Sequence, residues 1–212
     1  DSIDPARLTP QLKADVRGIA VSPAIAGGQV GPAFLDALPR LEIVSNFGVG
    51  YDGVDAGHAG AHGIMVTNTP DVLTEEVADT ALGLLLNTLR EFARAENYLR
   101  GGRWASEGNY PLSRGSLRGR KAGIVGMGRI GQAIARRLEA FGVPVAYHNR
   151  RPVGGLKLTY HPTLTGLASA VDVLISVLPG GTATDKAVNA DVLSALGPDG
   201  VFINIGRGST VD

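Results

Sequence analysis

Short apolar runs, each closed by glycine or a polar turn, alternate along this chain with stretches whose apolar residues recur every three or four positions. Runs of this kind fit buried parallel strands, and the three-to-four spacing fits helices. The pattern predicts strands at 16–21, 41–47 and 64–67, with short helices at 33–38 and 54–62 between them. Strand and helix in this rhythm imply a parallel sheet with crossover helices. A second series follows. Strands are predicted at 122–125, 143–147, 171–178 and 201–205, and helices from within 126–131 to about Phe141, at 164–170, and from an Asn189 cap to Leu196. Gly142 with Pro144, and Gly197 with Pro198, stop two of these helices.

Between the two series the pattern predicts one long helix, capped by Thr74, with Glu75 and Glu76 in its first turn, running to about Leu99. Its apolar residues cover more than one face, which places it between domains or between subunits. Residues 101–120 have no periodicity and hold the only tryptophan, Trp104. An unstructured connection of that length suggests a functional or interface segment, and a dimer arm is the preferred reading over a plain surface loop. Asp1 to Lys13 is polar, carries Pro5 and Pro10, and reads as a frayed lead-in.

The centre of the second series carries chemistry. Gly126, Gly128 and Gly131 form a G-x-G-x-x-G spacing between a strand and a helix, with a second strand next in order behind them. The glycines permit a tight turn, a close approach of backbone to pyrophosphate, and close helix–strand packing. The helix N-terminus and freed N–H groups then hold the anion. Alone the motif is weak; in this strand–helix–strand context it defines a Rossmann-type nucleotide site. At the end of the next strand an NAD site wants a carboxylate for the ribose hydroxyls. This chain has Asn149, Arg150 and Arg151 instead, and a guanidinium fork matches a 2′-phosphate. NADP(H) is therefore expected over NAD(H). Ligands of open α/β sheets bind at the carboxyl ends of strands. The candidate nucleotide contacts are thus Gly126, Met127, Gly128, Arg129, Ile130, Gly131, Asn149, Arg150, Arg151, Val177, Leu178, Pro179, Ile205 and Gly206.

Composition narrows the partners. Formal net charge is zero with no basic or acidic block, which argues against nucleic acid. There is no Cys, which removes disulfides and thiolate chemistry. No apolar run is long enough to span a bilayer, and no charged-then-apolar leader opens the chain, so a soluble cytoplasmic protein without membrane partners is expected. His58 and His62 are four apart on a short helix, but as a metal pair they lack a third ligand, and solvated residues are the expectation. No metal site is assigned. His148 lies at the adenosine-phosphate corner, and His161 in a linker.

Taken together, several stretches resemble the D-isomer-specific 2-hydroxyacid dehydrogenase family. They are Asn-Phe-Gly-Val-Gly-Tyr-Asp-Gly-Val-Asp at 46–55, Val-Thr-Asn-Thr-Pro at 66–70, Glu-Glu-Val-Ala-Asp-Thr-Ala at 75–81, Gly-Ile-Val-Gly-Met-Gly-Arg-Ile-Gly at 123–131 and Ile-Asn-Ile-Gly-Arg-Gly at 203–208. Within that family the NADPH-dependent glyoxylate/hydroxypyruvate reductase branch is the best fit. The resemblance implies a flavodoxin-like substrate domain over 1–73 and a doubly wound nucleotide domain over 74–212, both partial. It implies a homodimer through the 75–99 helix and the Trp104 arm. It gives Arg207 the role of holding and polarising a small 2-keto acid, and the N–H groups of Val49 and Gly50 the role of binding its carboxylate. Phe47 is a candidate for shaping the pocket, with core packing as its alternative. The family's catalytic glutamate and histidine follow the arginine, beyond the last residue here, so the chain is expected to be an incomplete copy with no evident proton donor of its own. A nucleotide-sensing module without turnover, and a related dehydrogenase acting on lactate, phosphoglycerate or hydroxyphenylpyruvate, are the alternatives.

Overall fold

In a computed structural model, residues 5–22, 30–113 and 115–212 are described. The chain divides into two compact units, Asp1–Leu73 and Thr74–Asp212.

The N-terminal unit is built on a three-stranded parallel sheet, β1 (Gly18–Val21), β2 (Ile43–Asn46) and β3 (Met65–Thr67), in that spatial order. Helices α2 (Pro32–Asp36) and α3 (Ala56–Ala61) are the crossovers. Val44 and Ala59 are fully buried, and Leu35, Leu38, Leu41, Val54 and Ile64 close the core around them. Predicted α3 starts two residues early, because Val54 pairs with Val30 and Asp55 caps the helix, accepting from the His58 N–H at 2.9 Å. The lead-in is more ordered than its polarity suggests. A 3-10 turn covers Pro5–Arg7 and α1 covers Pro10–Asp15. Thr9 Oγ1 accepts from Leu12 N at 3.2 Å and Pro10 takes the first helical position, where its missing N–H costs nothing. The first four residues of that lead-in lie outside the described residues.

The C-terminal unit holds a five-stranded, all-parallel sheet. Its strands are β4 (Ala122–Val125), β5 (Val145–His148), β6 (Thr159–His161), β7 (Val173–Ser176) and β8 (Val201–Asn204), in the order β6-β5-β4-β7-β8. The order reverses about β4, as in a doubly wound Rossmann sheet. β4 and β7 are buried at every residue, as central strands covered on both faces must be. The short edge strand β6 is absent from the sequence reading. Three residues carry too little periodicity, and His161 belongs to this strand, not to a linker.

The long helix is broken. Helix α4 spans Thr74–Arg90 and α5 spans Phe92–Arg100, with Glu91 between them at φ 56°. Thr74 is the first helical residue rather than the cap. No glycine or proline marks the break, so the sequence reads straight through it. The cause is tertiary. Glu91 Oε2 accepts from Tyr110 Oη at 2.8 Å, and Asn87 Oδ1 takes the Ala93 N–H at 3.1 Å. Gly115 lies against the Leu89 backbone so closely that a Cβ there would collide with the Leu89 carbonyl. The segment predicted to lack structure also contains a one-turn helix, α6 (Arg103–Glu107), on which Trp104 is 56% exposed.

Helix α7 (Arg129–Ala140) packs along α4. Fully buried Ala78 and Ala81 allow the close approach, and Leu85, Ile134 and Leu138 fill the seam. Arg137 clamps its edge, with Nε 2.6 Å from Asp79 Oδ1 and Nη2 2.8 Å from Glu75 Oε2. The bonds to Asp79 and Glu75 raise the guanidinium pKa above its ordinary value. Helices α8 (Leu164–Ala168) and α9 (Ala190–Leu196) cover the other face, capped by Thr163 and Asn189. Among the described residues no helix is long and apolar enough to cross a membrane.

Gly115→Ala places a methyl group into backbone that cannot yield. It should lower unfolding stability by roughly 1–3 kcal/mol in a denaturant melt, as overpacking does; an unchanged midpoint would remove the Gly115–Leu89 contact as the cause of the helix break.

Candidate functional site

The C-terminal rim begins where β4 turns into α7. Gly126 adopts φ +96°, a conformation that favours glycine, and its N–H donates to His148 O at 3.0 Å. Gly131, in the first turn of α7, is packed onto this point. A Cβ on it would collide with the Gly126 carbonyl oxygen. Gly128 differs: nothing lies within 4 Å of where its Cβ would be. It stands in extended backbone as the N-cap of α7 and offers no side-chain cap. Two glycines therefore serve the packing, and the middle one leaves open space in front of the first N–H groups of a twelve-residue helix. That space and those donors suit a pyrophosphate.

The other rim residues follow at strand ends. Asn149, Arg150 and Arg151 come directly after β5, and Arg150 and Arg151 are exposed. Among the described residues neither arginine meets a carboxylate within ion-pair distance. Val177, Leu178 and Pro179 follow β7; Ile205 and Gly206 follow β8. Two backbone contacts draw these ends together. Val177 N donates to Val125 O at 2.8 Å, and Gly206 abuts the Leu178 backbone with no room for a Cβ. Met127 is the exception among the candidates. Its side chain is 2% exposed and belongs to the core, so only its backbone faces the rim. Ser176 Oγ, fully buried at the end of β7, has no hydrogen-bond partner among the described residues.

Arg207 follows Gly206 in extended backbone. Its carbonyl accepts from Asn204 Nδ2 at 3.0 Å, Thr210 Oγ1 at 2.6 Å and Thr210 N at 3.2 Å. Asn204 Oδ1 also accepts from Gly206 N at 3.0 Å. The guanidinium therefore springs from a backbone fixed on both sides. Thr210 is fully buried, and the bridge between Val188 and Val211 ties the following residues to the sheet. The sequence reading missed Asn204 and Thr210. The Asn-x-Gly-Arg spacing was visible, but a side chain that serves its own turn leaves no periodic signal.

The N-terminal unit has its own polar loop after β2. Asn46 is 5% exposed, and its Nδ2 donates to Gly48 O and Gly50 O, each at 3.0 Å. Asn68 Nδ2 donates to Val49 O at 2.9 Å, and Thr69 N to Gly48 O at 3.0 Å. The carbonyls of Gly48, Val49 and Gly50 are thus occupied, while the Val49 and Gly50 N–H groups donate to nothing among the described residues. Two adjacent, pre-oriented N–H groups suit a small anion. Phe47 is 77% exposed, so core packing does not account for it.

The class defined by this rim, a parallel-sheet nucleotide-binding domain, is matched by comparison with known proteins. Residues 82–212 match the model of the D-isomer specific 2-hydroxyacid dehydrogenase NAD binding domain. The chain belongs to the D-isomer specific 2-hydroxyacid dehydrogenase family. It is 46% identical over 178 residues to hydroxyphenylpyruvate reductase of Plectranthus scutellarioides, covering 84% of this chain and 56% of that protein. Over 175 residues it is 47% identical to an Arabidopsis thaliana glyoxylate/hydroxypyruvate reductase, covering 82% and 55%. Among solved structures it is similar to the NADPH-dependent glyoxylate/hydroxypyruvate reductase of Sinorhizobium meliloti in complex with NADP and malonate. That likeness has a TM-score of 0.93 at 66% identity, over 99% of this chain and 64% of that one. The chain thus spans just over half the length of the curated relatives it matches.

Thr210→Val is nearly isosteric and removes one bond to the Arg207 carbonyl. It should cost about 0.5–1.5 kcal/mol of stability, read from a urea midpoint at constant slope; no loss would mean that the 2.6 Å contact contributes nothing to holding the turn.

Proposed function

We propose that the full-length protein to which this chain belongs reduces small 2-keto acids, glyoxylate and hydroxypyruvate, to D-2-hydroxy acids with NADPH. The observation that carries the cofactor choice is the pair Arg150 and Arg151, exposed past the end of β5 with no carboxylate paired to either among the described residues. An NAD site would hold an acidic residue there, and Asn149 cannot replace it as an anion. The S. meliloti relative, NADPH-dependent and bound to NADP, supports the same choice. Gly126, Gly128, Arg129, Ile130 and Gly131 frame the pyrophosphate in this reading, with Met127 contributing backbone only. Val177, Leu178, Pro179, Ile205 and Gly206 line the nicotinamide side.

When bound, NADPH supplies the hydride that reaches the keto carbon. The chain's own residues hold and polarise the substrate. Arg207 pairs with the substrate carboxylate and faces the carbonyl oxygen, where negative charge develops; a fixed guanidinium stabilises that charge without reorganising. By the resemblance, the N–H groups of Val49 and Gly50 are assigned to binding a carboxylate. Asn46 and Asn68 keep that loop in shape. The proton for the carbonyl oxygen is assigned to the family's histidine, held by its glutamate, which the resemblance places after Arg207. His148 is set apart from that role by its place at the end of β5, beside the Asn149–Arg151 corner assigned to the adenosine phosphate.

Residues 1–73 are read as the substrate domain and 74–212 as the nucleotide domain. A homodimer contact is assigned to α4, α5 and the Trp104 arm. Its support is apolar surface along them, with Leu84 41%, Phe92 55%, Leu99 60% and Leu112 96% exposed. A cytoplasmic setting goes with NADPH as the proposed cofactor. One observation favours a second substrate. Exposed Phe47 beside the Val49–Gly50 loop offers a ring face for stacking on an aromatic keto acid, and the Plectranthus relative is named for hydroxyphenylpyruvate.

Replacing both Arg150 and Arg151 by Ala should weaken NADPH binding about 10- to 100-fold, the loss of one or two charge-assisted bonds, while NADH binding is unchanged in fluorescence titrations. Equal affinity for NADPH before and after would sink the cofactor assignment. In the full-length protein, Arg207→Gln should lower kcat/KM for glyoxylate by about 10²–10³ and leave NADPH binding intact; comparable turnover by the variant would take Arg207 out of the reaction.

A further inference from the structure

The crossover helices of the N-terminal unit bring together three side chains that the family chemistry does not use. His58 lies in the middle of α3, and His62 caps its C-terminus. Their rings stack with centroids 4.2 Å apart. The sequence alone offered only this pair. The fold adds Asp36, the last residue of α2, whose Oδ1 lies 2.7 Å from His58 Nε2. One ligand atom from each of the three lies within 4.8 Å of the others. Asp36 and His62 are exposed and His58 is half-buried, so a cation can reach the group from solvent.

Two further features suit a metal. His62 Nδ1 lies 2.9 Å from the His58 carbonyl oxygen. A carbonyl can only accept, so in the neutral ring Nδ1 carries the proton and Nε2 presents its lone pair. Metal-binding imidazoles are commonly oriented by this kind of second bond. The ligands also stand on anchored backbone. Leu35, beside Asp36, and Ala59, beside His58, are buried in the unit's core, and Asp55 fixes the first turn of α3.

We propose that Asp36, His58 and His62 form a binding site for a divalent first-row transition cation of the zinc or nickel class. Two imidazoles and one carboxylate select such borderline cations over magnesium and calcium, which prefer oxygen-only shells. Three protein ligands and a water complete a tetrahedron. The hydrogen bond between His58 Nε2 and Asp36 Oδ1 occupies the metal's place in the metal-free form. Metal–ligand bonds of about 2.0–2.2 Å require the Asp36 carboxylate to draw back from His58 Nε2 and the side chains to adjust around the ion, which the exposed Asp36 and His62 side chains can do. The bound cation cross-links α2 to α3 across β2 and makes the N-terminal unit stiffer. This site is independent of the nucleotide reading and needs no turnover to be detected.

The test is calorimetric titration of the chelator-treated 212-residue chain with zinc chloride and nickel chloride, alongside His62→Gln and Asp36→Asn. Both substitutions fall on exposed positions, and circular dichroism checks that the variants stay folded. The expected result is one equivalent bound with a dissociation constant on the order of 1–10 µM, a melting temperature that rises with metal, and affinity reduced at least about tenfold in each variant. No saturable binding below about 1 mM overturns the proposal. So does full affinity in both variants, which would place the metal elsewhere. Loss on His62→Gln with full affinity in Asp36→Asn overturns it too, since the aspartate would then be no ligand.

Discussion

The contact on which the C-terminal unit depends is the seating of Gly131 on the carbonyl of Gly126. It sets the distance between the first turn of α7 and the end of β4. From that distance follow the aim of the helix N-terminus and the seam between α7 and α4. Any side chain at Gly131 would lift the helix off the strand. The rim is thus determined from inside: buried β4 fixes Gly126, Gly126 fixes α7, and the open face at Gly128 is what the packing leaves over. Anion chemistry at this point is a by-product of close packing as much as of charge.

The same economy governs the two loops assigned to the substrate. In each, an asparagine side chain holds the carbonyls, Asn46 for Gly48 and Gly50, and Asn204 for Arg207. In one loop this leaves two N–H donors facing outward; in the other it fixes the backbone from which the Arg207 side chain springs. Short polar side chains turned back on their own backbone make a rigid turn without a helix or strand to support it.

How far the sequence could be read differs from element to element, for physical reasons. The β4–α7–β5 unit was legible because three signals coincide there: an apolar run, fixed glycine spacing and helical periodicity. The break between α4 and α5 was not. Arg90-Glu91-Phe92 is good helical sequence, and the interruption is imposed by Tyr110 and Gly115 from a distant loop. Strand β6 was lost because a three-residue edge strand has no period to detect. Arg207, Val49 and Gly50 could be picked out by their motifs, but the side chains that position them, Asn204, Thr210, Asn46 and Asn68, became visible only once the turns were folded. Asp36 is the clearest case. Twenty-two positions separate it from His58 in sequence, and only the crossover geometry of the N-terminal sheet makes them neighbours.

The all-parallel order of the five-stranded sheet has a bearing on how the protein is made. Its middle strand, β4, is the first of the five to leave the ribosome, yet its two hydrogen-bonding neighbours lie about one and two helical crossovers later, at 145–148 and 173–176. No hairpin can cover it early. Until residue 176 has been synthesised, one edge of a fully apolar strand stays open to other nascent chains. Non-local pairing of this sort is slow and exposes aggregation-prone surface. Yield on expression should therefore be governed by the time taken to translate 122–176, and slowing or pausing within that window would harm it more than the same delay placed after it.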